Sequence, residues 1–128
     1  MITAERQFEI ACDLARSNEA HKVCFVCTRK KFRDLQLTVA DCSISLQTRR
    51  ITFPNGASLF FVDPDHVAER PQDYGGYQMT PLFYTEESKL AGVAIRMLES
   101  KLRSTVIKEL KTYHPYGYTS LMNWELYK

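Results

Sequence analysis

Apolar residues recur at helical spacing near the start of the chain. Phe8, Ala11, Cys12 and Ala15 form one stripe, widened by Ile10 and Leu14, which predicts a helix over residues 4–16 with Thr3 as its N-cap. Ser17, Asn18 and the polar stretch to His21 end it. Residues 23–28 then read VCFVCT, a nearly continuous apolar run that suits a central strand buried on both faces. Phe32, Leu35 and Val39 give residues 30–39 one helical face. Over 43–53 the residues alternate, but the apolar phase shifts between Leu46 and Ile51, around 48–50. A slip of one residue in a period of two requires a turn or a bulge.

Next comes ITF-PNGA-SLFFV. Asn55 and Gly56 suit the positive-φ positions of a tight turn, and strand-like flanks predict a β-hairpin over about 51–62. Residues 63–80, with Pro64, Pro71, Gly75 and Gly76, read as loop. Residues 82–85 read as another short buried strand. Leu90, Val93, Ala94, Met97, Leu98, Leu102, Val106 and Leu110 predict the longest helix over 86–112, stopped by Pro115 and Gly117. Strands alternating with helices predict an α/β fold: a small, mostly parallel sheet flanked by helices, with an inserted hairpin and a long helix near the C-terminus. At 128 residues, a single domain over 1–128 is expected.

The net charge of +2 rules out a strong overall field as the means of binding nucleic acid or membrane. The positive charge is locally dense instead: Arg29, Lys30, Lys31 and Arg33 stand together, and Arg49 and Arg50 form a second pair. No apolar run approaches the ~20 residues of a membrane-spanning helix. The early acidic residues make the N-terminus unlike a signal peptide. Cysteines at 12, 24, 27 and 42 suit a reduced, cytoplasmic setting.

The middle of the chain resembles a P-loop ATPase core. Residues 22–35, KVCFVCTRKKFRDL, are similar to the second strand of terminase and superfamily 2 helicase ATPase domains, where the strand ends in a Pro-Thr-Arg-type turn and a helix follows. Here the turn is Cys27-Thr28-Arg29. In helicases of that class the turn touches the nucleic-acid backbone, which by resemblance assigns nucleic-acid contact to Thr28, Arg29, Lys30, Lys31 and Arg33. Residues 51–62 resemble the hairpin of phage terminase large subunits, 70–77 the Arg-Gly-rich loop after it, and 81–87 the Walker B strand.

Two departures matter. No glycine stands before a Lys-Ser or Lys-Thr at Walker A spacing, so the backbone cradle for phosphate is missing. Thr85 and Glu86, or Glu86 and Glu87, occupy the Walker B position. These departures argue against autonomous ATP hydrolysis.

Other constellations compete with plainer readings. Asp63 or Asp65 with Glu86, Glu87 and Lys89 resembles the Asp…Glu-x-Lys set of Mg²⁺-dependent nucleases, but Glu87 and Lys89 should then lie on a strand. The plainer reading of Glu86 and Glu87 is a helix start, where acidic side chains offset the macrodipole. His21, Cys24 and Cys27, with Cys12 and Cys42, invite a zinc reading. Cysteines three apart on a strand point to opposite faces, however, which favours core residues and no metal. Cys42 with His66 or His114 has no local support as a nucleophilic pair. Arg70, Tyr74, Gly75, Gly76 and Tyr77 form a candidate recognition loop, and the aromatic tail from Tyr113 suits packing against the sheet.

The expectation is a non-catalytic binding or assembly module of viral or mobile-element origin, without cofactor, in the host cytoplasm if viral. Its partner is a protein first and nucleic acid second, and homo-oligomers are compatible with an open sheet edge. The alternative is a metal-dependent nuclease using Mg²⁺, or one subunit of a split ATPase.

Overall fold

The structure is a computed structural model that describes residues 2–45, 47–74, 78–88, 92–101, 111–114 and 117–120. Helix α1 (Ala4–Ser17) leads into β1 (Lys22–Val26) and α2 (Arg29–Gln36). Three strands follow: β2 (Ser43–Ser45), β3 (Arg50–Thr52) and β4 (Ser58–Val62). Then come α3 (Pro64–Glu69), a 3-10 turn (Pro71–Tyr74), β5 (Leu82–Tyr84) and a second 3-10 turn (Glu86–Ser88). Helix α4 (Gly92–Glu99), β6 (Lys111–His114) and β7 (Gly117–Ser120) complete the described chain.

The strands form one seven-stranded sheet in the order β2-β3-β4-β1-β5-β6-β7. Strands β4, β1, β5 and β6 run parallel, and the remaining neighbours are antiparallel. The α/β expectation holds. Strand β1, expected as a central strand, and β4, expected only as part of a hairpin, are both continuous apolar runs because both faces are covered.

Alternation along the strands builds two cores. On one face Phe8, Ala11, Cys12 and Ala15 of α1 and Phe32 and Leu35 of α2 pack on Val23, Phe25, Ile51, Leu59, Phe61 and Phe83. On the other, Val67 of α3 and Ile95 and Leu98 of α4 pack on Cys24, Val26, Phe60, Val62, Leu82 and Tyr84. Aromatic rings fill the first core: Phe8 meets Phe25 edge-on at 5.5 Å, and Phe32 stacks on Phe61 at 4.0 Å.

The helix over 4–16 is α1, and Thr3 caps it by accepting the Arg6 N–H. The hairpin turn forms with Gly56 at φ 92, but Asn55, expected at positive φ beside it, serves through its side chain instead, its Oδ1 accepting the Ala57 N–H at 3.0 Å. The hairpin, expected as an insertion, is part of the central sheet: its second strand is β4, the parallel neighbour of β1. The phase shift around 48–50 is the turn between β2 and β3.

Within 63–80, read as loop, the structure has α3. Asp63 accepts the Asp65 N–H and Pro64 begins the helix, a start signal that the prolines had masked. Of the predicted helix over 86–112, α4 covers Gly92–Glu99, while 89–91 and 102–110 lie outside the described residues. Thr112 is in strand β6, opposite Leu82, because β-branched and aromatic residues there complete the sheet. Tyr113 stacks on Phe83 at 4.3 Å, the packing role expected of the tail's first aromatic. Among the described residues no helix is long and apolar enough to cross a membrane.

Candidate nucleic-acid interface

In open α/β sheets ligands bind beyond the carboxyl ends of the strands, where successive connections leave in opposite directions. From β1 the chain moves to β4 on one side, and from β4 it crosses to β5 on the other. The switch point therefore lies between the ends of β1 and β5. Here it is filled by the protein's own polar groups. Gln7 Nε2 donates to the Tyr84 carbonyl at 2.9 Å, and Ser88 Oγ donates to the Val26 carbonyl at 3.2 Å. The Thr85 hydroxyl lies 3.1 Å from Ser88 Oγ, and the Thr85 N–H also donates to Val26. None of these three bridging side chains stands out in sequence, because their roles depend on contacts up to 77 residues apart.

The open chemistry lies one step aside, where β1 passes into α2. Cys27 N–H donates to the Val62 carbonyl at 3.1 Å, and Thr28 turns the chain at φ -67, ψ 154. Its hydroxyl accepts the Lys31 N–H at 3.2 Å and caps the helix. Thr28 thus has a structural role at the turn. Thr28→Ala is expected to cost about 1 kcal/mol of stability by removing this cap. Urea denaturation checks it; an unchanged midpoint would mean that other acceptors serve the first turn.

Phe32 and Leu35 hold the inner face of α2 against the core, so Arg29, Lys30 and Arg33 stand on its exposed side. Arg29 and Arg33 are one helical turn apart. Together with Gln47 and Arg49 from the β2–β3 turn they line a hollow of about 360 Å³ over Phe32 and Phe61. Arg49 sits at φ 57, a left-handed conformation that costs a non-glycine residue roughly 1–2 kcal/mol. Its carbonyl accepts the Phe61 N–H at 3.0 Å, which ties this strained residue to β4.

Among the described residues Lys22, Arg29, Lys30, Arg33, Arg49 and Arg50 form no ion pair, whereas Arg6, Arg16, Lys31 and Arg70 each meet a carboxylate. Lys31 is drawn to Glu5 of α1, and that contact holds the Glu5 carboxyl below its ordinary range. Lys31 therefore joins α2 to α1 rather than to the hollow. In sequence Arg49 is only half of a basic pair; the fold brings it to Arg29 and Arg33.

Asp63 caps α3 and Asp65 is exposed in its first turn. Glu86 follows β5, two strand spacings (roughly 10 Å) from the end of β4 where Asp63 stands. The Glu87 side chain and Lys89 lie outside the described residues. Among those described, no group of three or more His, Cys, Asp or Glu is arranged to hold a metal.

Cys24 belongs to one core and Cys27 to the other, so one ion cannot meet both. Burial raises the Cys24 thiol pKa and keeps it protonated. His21 is buried with Nδ1 3.3 Å from the Thr80 hydroxyl, and burial lowers its pKa. Burial, then Asp41, raises the Cys42 pKa, the wrong direction for a nucleophile. His66 faces Asp73 at 3.8 Å, and the His114 side chain lies outside the described residues. In the loop reading, Arg70 pairs with Asp73 at 3.1 Å, while the Tyr74 side chain, Gly75, Gly76 and Tyr77 lie outside the described residues.

Comparison with protein-family models, with curated proteins and with solved structures finds no match. The likeness to P-loop ATPase cores thus rests on the motifs quoted above.

Proposed function

We propose that this chain is a non-catalytic binding module that grips the phosphate backbone of nucleic acid through Arg29, Arg33 and Arg49. The observation that carries this reading is the convergence of three arginines, without a carboxylate partner among the described residues, on one hollow. Guanidinium groups match phosphate oxygens in pairs, and their charge stays on at any physiological pH. A net charge of +2 suffices because the charge is focused rather than spread.

The scaffold, by this reading, derives from a P-loop-like core of viral or mobile-element origin that lost its phosphate cradle and kept the backbone-contacting turn. The missing Walker A pattern and the filled switch point support a role without hydrolysis. A protein partner at 70–77 has less support, because Arg70 is already bound to Asp73.

The test is fluorescence anisotropy with a labelled oligonucleotide. Arg29→Glu/Arg33→Glu is expected to weaken binding about 100-fold at low salt, and wild-type affinity should fall steeply as salt rises, through counterion release. Binding that ignores both the substitution and the salt would sink the proposal.

A further inference from the structure

A second hollow, of about 320 Å³, contains Lys22 and Arg50 and shares Arg49 and Phe61 with the first. It lies on the opposite face of the sheet. Lys22 is in register with Ser58, and Arg50 with Phe60. Alternation then puts Lys22 and Arg50 on the face of Cys24 and Phe60, whereas Arg29 and Arg33 rise from α2 on the face of Phe61. Lys22 and Arg50 are exposed, and among the described residues neither has a carboxylate partner.

The β2–β3 turn therefore lies between two basic hollows, with Gln47 and Thr48 exposed and Arg49, hydrogen-bonded to Phe61 of β4, lining both. A single sheet layer with its side chains is about 10 Å thick. The major groove of B-form DNA is about 12 Å wide, admits a two-stranded β-ribbon, and has a phosphate backbone on each rim.

We infer that the ligand is double-stranded B-form DNA, its major groove astride the β2–β3 turn, with one backbone against Arg29 and Arg33 and the other against Lys22 and Arg50. The inference rests on the nucleic-acid reading above and goes further by naming the duplex. A single strand has one backbone and fills one hollow only. The major groove of an A-form RNA duplex is too deep and narrow to receive the ribbon. With Lys22, Arg29, Arg33, Arg49 and Arg50 all on phosphate, log affinity should fall against log salt with a slope of about −4.5.

The experiment titrates the full chain into three labelled probes: a DNA duplex of roughly two helical turns, one of its strands, and an RNA duplex of the same sequence. Each is repeated with Arg29→Glu/Arg33→Glu and with Lys22→Glu/Arg50→Glu. Unchanged thermal melting serves as the folding check, and alanine replaces glutamate if a reversal perturbs it. The DNA duplex is expected to bind about tenfold tighter than either other probe; Arg29→Glu/Arg33→Glu should weaken it about 100-fold and Lys22→Glu/Arg50→Glu about tenfold or more. Equal affinity for the single strand, or duplex binding untouched by Lys22→Glu/Arg50→Glu, overturns the duplex inference. If Arg29→Glu/Arg33→Glu still weakens the single strand, the reading under Proposed function survives that result. No binding to any of the three probes overturns both.

Discussion

Phe25→Ala is expected to lower stability by about 3–5 kcal/mol, much of the 5–15 kcal/mol that holds a typical domain together. Phe25 is fully buried in β1, the middle strand of the sheet. Its ring meets Phe8 of α1 edge-on at 5.5 Å and stacks with Phe83 of β5 at 6.0 Å. Truncation removes the contacts of both partners and leaves a cavity between helix and sheet that neither can fill. Strand β1 has β4 and β5 hydrogen-bonded to its two sides, so a strain there has no free edge to relax toward. Urea denaturation followed by circular dichroism gives the value. Phe25→Leu, which keeps most of the volume, should cost far less. A loss under about 1.5 kcal/mol for the alanine variant would mean that the core does not converge on β1.

Glu99→Gln is expected to stabilise the protein at pH 8 by about 2 kcal/mol and to change little at pH 5. Glu99 is 2% exposed at the end of α4. Among the described residues neither of its carboxylate oxygens has a hydrogen-bond partner, and nor does the buried Thr112 hydroxyl. Burial pushes the carboxyl up to about 7, against smaller opposing pulls from nearby Thr112 and Arg96. A raised folded-state value means that the folded protein binds the proton more tightly than the unfolded chain. Stability from this group is complete below the unfolded value near 4.5 and is lost as pH rises through about 7. The wild type should therefore lose thermal stability between pH 5 and pH 8, and the glutamine variant, which never ionises, should lose less. Equal pH slopes for the two proteins would show that Glu99 stays charged and solvated in the fold.

Local chemistry made several elements legible. Helix α1 carries its own stripe and its own cap in Thr3, and the turn at Asn55 and Gly56 needs a left-handed residue that only a few side chains tolerate. The apolar run at 23–28 left burial on both faces as its natural environment, and β1 lies at the middle of the sheet. Helix α3 was hidden because Pro64 both breaks and begins helices, and only the bond from Asp65 N–H to Asp63 distinguishes the two. Thr112 and Tyr113 sat on the edge of a helical pattern, yet pairing with Leu82 and Phe83 drew them into β6, since tertiary contacts outweigh intrinsic propensity.

The candidate site divides the same way. Arg29, Lys30, Lys31 and Arg33 were visible as a cluster after a buried strand, but their separate fates were not. Phe32 and Leu35 turn the helix so that Arg29 and Arg33 share one side, while Glu5 takes Lys31. By itself the sequence determined helix α1, strand β1 and the turn before β4, where a stripe, a cap, an apolar run or a turn residue acts within a few positions. It also determined that no Walker A cradle is present. Only the tertiary structure decided that β4 lies beside β1, that Gln7 and Ser88 fill the switch point, and that Arg49 completes a hollow begun by Arg29. Periodicity and capping are encoded between neighbours along the chain, whereas convergence of charge depends on strand order, which is set by how two cores pack on opposite faces of one sheet.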